Sequence, residues 1–356
     1  MTASSSRRKS TGNTEIDRAI LDLLAKVPLG SSDGDSRLDN RDQLREILVT
    51  AMTMALDSAQ GRNDRLDLKI ANAALSEMRD AYRMFQPHRD RRKVTIFGSA
   101  RTKDSDPLYE LTKKIATALS NKGWMVVTGA GPGIMAAGLE GAGRDNALGV
   151  SIRLPFESAA NEFVEPENLV DMRYFFTRKL ALLREAQAFV VMPGGFGTLD
   201  EAFELLTLVQ TGKATPVPIV MLGLGHGYWT AWQQFMEKVT TEGYTSASDT
   251  EMYLVTNSVE AAVEEIERFY SNFHSLRWQG DTLILRTYRA ANDDQLASLN
   301  EMFGQYTDGT RITRSGPLES ERAENDHLDL ARTVLRFNRR QPGRLRRLID
   351  ATNTWT

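Results

Sequence analysis

Between Lys93 and Asn257 short apolar runs alternate with amphipathic stretches, and this alternation restricts the chain more than any other feature. The runs are "VTIFG", "WMVVTG", "LGVSIRL", "AFVVMP", "VPIVMLG" and "YLVTN". Continuous apolar strands separated by helical patterns belong to a mainly parallel sheet whose two faces are both covered by helices. Helical spacing predicts helices over 107–121, 133–144, 177–187, 198–211, 228–242 and 258–272. The expected fold is α/β, Rossmann-like and doubly wound, in a domain over 91–273. Residues 1–90 read as a disordered start (1–13) and a helical arm, with apolar spacing at Ile16, Ile20, Leu23 and Leu24, then over Leu44–Ala59 and Leu66–Phe85. "GSSDGDSRLDNRD" reads as a linker. Residues 274–356 form an extension: "LRWQGDTLILRTYR" reads as a strand pair turning at Gly280 and Asp281, with helices near 293–305 and 320–339.

In an open parallel sheet, ligands bind beyond the carboxyl ends of the strands. Three of those ends carry unusual residues. "FGSAR" offers Gly98 and Ser99, "TGAGPGIM" offers Gly129, Gly131 and Gly133, and "PGGFGTLDE" offers Gly194, Gly195, Gly197 and Thr198 before Glu201. Glycine lets backbone approach a ligand closely, and the amides of a helix start favour an anion such as phosphate. A nucleotide cleft is the expectation. It is not a dinucleotide site, because "GAGPGIM" follows the second strand and the next strand ends in Arg153 instead of an acid. No Walker A sequence is present.

Two plainer readings stand beside this one. Thr198 to Glu201 matches a capping box, which would make Glu201 structural; the three preceding glycines, which cost entropy on folding, are not explained by it. Arg178 and Lys179 in "YFFTRKLALLREA" open a predicted helix, where cations are disfavoured unless an anion is near. They read equally as solvated basic residues or as partners of a bound anion.

Together these motifs resemble the LOG (lonely guy) family of nucleoside 5'-monophosphate phosphoribohydrolases. "PGGFGTLDE" fits the family signature P-G-G-x-G-T-x-x-E, "FFTRK" resembles its R-K element, and "VTIFGSAR", "TGAGPGIM", "LPFESAAN", "LVQTGK" and "GYW" follow in family order over about 91–272. The appendages outside that core make this resemble a long bacterial variant. The resemblance implies hydrolysis of an N-glycosidic bond, giving a free base and ribose 5-phosphate. The base would be a purine or a cytokinin-type adenine. It implies Arg178 and Glu201 as the catalytic pair and the glycine turns with Thr198 and Lys179 as substrate-binding. It also implies a homodimer or larger homo-oligomer with the cleft near the subunit boundary. Ala130 and Ala136 depart from the G-G-G-P-G-I-M-E-A of relatives, removing an acidic contact, which puts substrate choice and turnover in doubt. Arg178 would hold phosphate or ribose or position Glu201, since guanidinium stays protonated. Asp200, about 100 degrees around the helix from Glu201, reads as a surface residue, and Tyr228 and Trp229 as helix-packing aromatics.

Composition narrows the rest. No cysteine is present, so disulfides and thiolate chemistry are excluded. His88, His226, His274 and His327 form no metal-ligand pattern, so neither metal nor cofactor is expected. His226 reads as a loop residue. A net charge of -3 gives no global attraction to nucleic acid or anionic membrane. No apolar run reaches membrane-span length and no signal peptide is evident, which makes the cytoplasm the expected location. The competing class is a non-catalytic nucleotide-binding regulator or sensor, with "ARTVLRFNRRQPGRLRRL" as a basic face for nucleic acid. Those arginines read instead as solvated, or as paired with Glu319, Glu321 and Glu324.

Overall fold

The computed structural model describes residues 10–27, 41–153, 161–225, 227–339 and 341–355. The expectations for residues 1–9, the linker at 30–40, most of "LPFESAAN", His226 and Arg340 lie outside the described residues. The described residues divide into two compact units, one within Met1–Ala73 and Ser315–Leu330, the other within Ala74–Arg314 and Ala331–Thr356.

The smaller unit contains α1 (Thr14–Lys26) and α2 (Arg41–Ala59). Asn13 caps α1 by accepting from the amides of Glu15 and Ile16, and Ile20, Leu24 and Val49 form a small apolar cluster. α11 (Glu319–Ala323) belongs to the same unit. The last turns of α3 (Arg65–Phe85) belong to the larger one.

The larger unit is built on β1 (Lys93–Phe97), β2 (Met125–Thr128), β3 (Ala147–Ile152), β4 (Leu169–Met172), β5 (Ala188–Val191), β6 (Ile219–Leu222) and β7 (Leu254–Thr256). Among the described residues they form one sheet of order β4-β3-β2-β1-β5-β6-β7, with parallel pairing throughout. Side chains alternate across the strands, as a period of two requires. Val94, Ile96, Val126, Val190 and Leu222 face α4 (Pro107–Ser120), α5 (Ile134–Ala142) and α9 (Val259–Phe269). Val127, Val150, Phe189, Val191 and Met221 face α3, α6 (Phe175–Arg184), α7 (Phe196–Gln210) and α8 (Tyr228–Thr241). The sheet is therefore doubly wound, with helices on both faces. β4 was not among the predicted strands, because "LVDM" is short and interrupted by Asp171.

The order reverses between β1 and β5: the chain leaves β1 toward β2 on one side and returns from β4 to β5 on the other. Such a reversal opens a crevice at the carboxyl ends of the two strands. Ser99 N–H donates to the Pro193 carbonyl at 3.3 Å across that crevice.

In the extension, β8 (Phe273–Gln279) and β9 (Thr282–Thr287) form the expected hairpin, with Gly280 at φ +59. α10 (Asp293–Phe303) starts where predicted, capped by a box between Asn292 and Gln295. The helix predicted over 320–339 is corrected: α11 ends at Ala323 and β11 (Ala331–Arg336) pairs antiparallel with β9, Thr333 opposite Leu285. β-Branched Thr333 and Val334, in a strand that buries Arg332, Thr333 and Leu335, suit this pairing. β10 (Thr313–Ser315) joins β11's other edge and α12 (Pro342–Thr352) follows. Leu283, Leu285, Leu335 and Leu348 enter the same apolar cluster as the α4–α5–α9 face.

Candidate active site

The crevice between β1 and β5 is lined by Ile96–Arg101, Gly129, Met135, Phe175, Arg178, Lys179 and Gly194–Glu201, and encloses about 750 Å³. That is ample for a small-molecule ligand. One wall is the start of α7. Its N-cap is Gly195, and no side chain caps it, so the amides of the first turn open toward the cleft. An added Cβ at Gly195 or Gly197 meets nothing within 4 Å, and neither glycine has left-handed backbone. The fold alone would accept alanine at both positions. Space over a helix N-terminus suits an anion that approaches the backbone closely.

The capping-box reading of Thr198 is corrected. α7 begins two residues earlier, at Phe196, so Thr198 is already helical and its buried side chain packs on Gly194. Glu201 then lies in the second turn, on the cleft wall. Burial raises its carboxyl to about 7; Arg178 opposes the shift and Asp200 adds to it.

Arg178 is buried on α6. Its Nε donates to the Val150 carbonyl at 2.9 Å and its Nη2 to the Gly129 carbonyl at 3.1 Å, so the guanidinium ties the ends of β3 and β2 together beneath the cleft. Lys179 is held by α7 instead: its Nζ lies 2.9 Å from Asp200 and 2.8 Å from Glu204. Burial lowers its pKa, but the hydrogen bonds to Glu204 and Asp200 outweigh this and raise it. Asp200 is exposed, as expected, yet engaged.

Of the predicted binding residues, Gly98, Ser99, Gly129, Lys179, Gly194, Gly195, Gly197 and Thr198 line the cleft with Arg178 and Glu201. Gly131 and Gly133 do not. Gly133 has φ +67, and a Cβ there would strike the backbone of Ser99 and Ala100, so the turn itself demands glycine. Ala130, a non-glycine residue in the turn after β2, adopts φ +52. Sequence reasoning passed over Arg101, Phe175, Phe196 and Met135 in the lining. It read Tyr228 as packing only, whereas its phenol donates to the Gly194 carbonyl at 2.7 Å and steadies the turn. Arg101 sits in the "FGSAR" motif and was within reach of the sequence; the contact from Tyr228, 34 residues away, was not. His88 bonds Asn168 at 2.9 Å. Among the described residues no cluster of His, Asp and Glu could hold a metal ion.

The sequence family described as possible lysine decarboxylase matches residues 132–266. A cytokinin riboside 5'-monophosphate phosphoribohydrolase of Arabidopsis thaliana, LOG7, is 28% identical over 123 residues, 35% of this chain and 54% of the relative. The enzyme of that description from Mycobacterium tuberculosis is 27% identical over 160 residues, 44% of this chain and 83% of the relative. The X-ray structure of TM1055 is 26% identical and covers 50% of this chain and 99% of that one, with a TM-score of 0.37. The chain spans about half the length of the plant relatives it matches. It is related to the LOG phosphoribohydrolases at low identity. Decarboxylation through a lysine aldimine needs an amine whose pKa is depressed. Lys179, the lysine among the described lining residues, has a raised pKa and two carboxylate partners.

Proposed function

We propose that this protein hydrolyses the N-glycosidic bond of a nucleoside 5'-monophosphate, releasing the free base and ribose 5-phosphate. The observation that carries the reading is Glu201, a carboxyl with a pKa near 7 one turn from the uncapped start of α7. The phosphate would rest on the amides of Gly195 to Thr198, which places the ribose beside Glu201. Cleavage builds positive charge on the ribose and negative charge on the departing base. The Glu201 carboxylate offsets the first and orients the attacking water. Arg178 and Glu201 form the catalytic pair of this proposal, with Arg178 acting from beneath by holding Gly129. A purine or cytokinin-type base is the expected leaving group, and the cytoplasm the expected site of action.

The same reading includes a homodimer or larger homo-oligomer. It is supported by two exposed aromatics of the cleft lining, Phe175 and Phe196, the latter 95% exposed within the glycine turn, and by exposed Phe176 and Leu180 on α6 and Phe203 on α7. A second copy over this patch would bring the cleft to the subunit boundary.

The test is incubation with a panel of nucleoside 5'-monophosphates and their nucleosides, followed by chromatography for free bases. Release from a monophosphate, with the matching nucleoside turned over at least about tenfold more slowly, is expected, because the α7 amides would otherwise lack their anion. Equal rates on AMP and adenosine would refute phosphate anchoring, and no release from any member would refute the hydrolase reading.

A further inference from the structure

α6 carries Arg178 and Lys179, yet its own sequence provides poorly for its start. Tyr174 occupies the N-cap without a side-chain bond, and the first turn contains no acid. Two cations near a positive helix end add an electrostatic penalty. The missing partner comes from α3, about a hundred residues earlier. Glu77, buried in the last turns of α3, accepts from the Arg173 amide at 2.9 Å, the Tyr174 amide at 3.4 Å and the Thr177 hydroxyl at 2.5 Å.

We propose that Glu77 is a positioning residue of the cleft, capping α6 from the N-terminal helical region and thereby fixing where Arg178 stands against Gly129 and Glu201. The inference rests on the hydrolase reading for its kinetic consequence. The connection is direct. The Arg178 amide donates to the Tyr174 carbonyl at 3.2 Å, closing the first turn of α6, and the Thr177 hydroxyl, whose proton goes to Glu77, lies 2.8 Å from the same carbonyl. Glu77 grips the other side of that turn. If the turn frays, the Arg178 backbone is released, and with it the two guanidinium bonds that hold Val150 and Gly129. Buried carboxylates are retained where their hydrogen bonds are satisfied, and here the three donors all belong to the start of one helix. α3 lies before the first strand, and Glu77 on it falls within the larger unit that holds the cleft.

The experiment uses the full chain with Glu77→Gln and Glu77→Ala, each also in an Arg178→Ala background. Amide hydrogen exchange is followed over Gly129 and Arg173–Lys179, and base release is measured per folded molecule across pH. Glu77→Ala is expected to speed exchange of the Arg173, Tyr174 and Arg178 amides about tenfold, the scale of one lost cap. Turnover should fall about tenfold in the same variant, with a smaller loss for Glu77→Gln, which keeps an acceptor. In the Arg178→Ala background Glu77→Ala should change turnover less than about twofold, because the two act as one unit. The acid limb of the profile should move to higher pH. Arg178 and Lys179 from α6 and Asp200 and Glu204 from α7 surround Glu201, and of these Arg178 is the opposing charge that recedes. Unchanged exchange overturns the inference. So does a lower melting midpoint with unchanged turnover and pH profile, or full multiplication of the two single effects. If Glu77→Ala fails to fold, the glutamine variant carries the same comparisons. If the wild type releases no base from any nucleotide, the hydrolase reading fails alone, and the exchange at Gly129 and Arg173–Lys179 decides the role of Glu77.

Discussion

In the proposed reaction Glu201 is the residue on which stability and chemistry pull in opposite directions. Its ordinary pKa of 4.5 rises to about 7 in the folded state, mainly through burial. The folded protein therefore holds that proton more tightly than the unfolded chain. Stability declines as pH climbs from about 4.5 through 7. At roughly 1.4 kcal/mol per unit, the full penalty above pH 7 is of order 3 kcal/mol. Glu201→Gln cannot ionise and keeps the shape, so it should raise the melting midpoint at pH 8 and leave it nearly unchanged at pH 4.5. Equal midpoints for the two proteins at both pH values would contradict a buried, proton-retaining carboxyl. The sequence identified Glu201 through its spacing from the glycines, but not this penalty, because burial depends on the α6 and β1 residues around it.

At the scale of elements, the start of α7 shows a comparable tension. Gly197 sits in the helix with nothing near its absent side chain, and glycine in a helix costs up to about 1 kcal/mol relative to alanine. Gly197→Ala should stabilise the free protein by a few tenths to about 1 kcal/mol and weaken nucleotide binding about tenfold or more. Calorimetry of unfolding and of AMP binding measures both, and unchanged affinity would show that the glycine is not kept for the ligand. The α/β alternation and the glycine turns at the ends of β1, β2 and β5 were legible from sequence because each is a local pattern of apolar period and backbone freedom. The cap of α7 lies three residues earlier than the sequence suggests, since Thr198 to Glu201 imitates a cap that Gly195 in fact occupies. The arginine spacing after 320 imitated a helix, whereas pairing with β9, distant in sequence, made Ala331–Arg336 a strand. The cap that Glu77 supplies to α6 is likewise non-local, and no single-segment pattern signals it.

For the whole molecule, the C-terminal arginines do not form one basic face. Arg332 and Arg346 are buried; Arg346 bonds Glu265 and Asp350, Arg344 and Arg347 lie 3.5 and 3.4 Å from Glu251, and Arg336 lies 3.4 Å from Asp281. Among the described residues their charge is largely engaged by acids of the central domain, Glu251 and Glu265, and of the extension, Asp281 and Asp350. Light scattering should find a dimer or larger species, and Phe196→Ser should shift it toward monomer; an active monomeric wild type would refute the assembly. The proposed reaction is cleavage of a phosphate-anchored nucleotide at its glycosidic bond with the help of Glu201. Its most direct test compares the wild type with Glu201→Gln on the best monophosphate of the panel, measuring both products over pH 5 to 9. That reaction requires free base and ribose 5-phosphate in equal amounts, with wild-type turnover rising through about pH 7 as Glu201 ionises and the glutamine variant at least about 100-fold slower. Near-normal turnover by Glu201→Gln, or inorganic phosphate and nucleoside as the products, would contradict it.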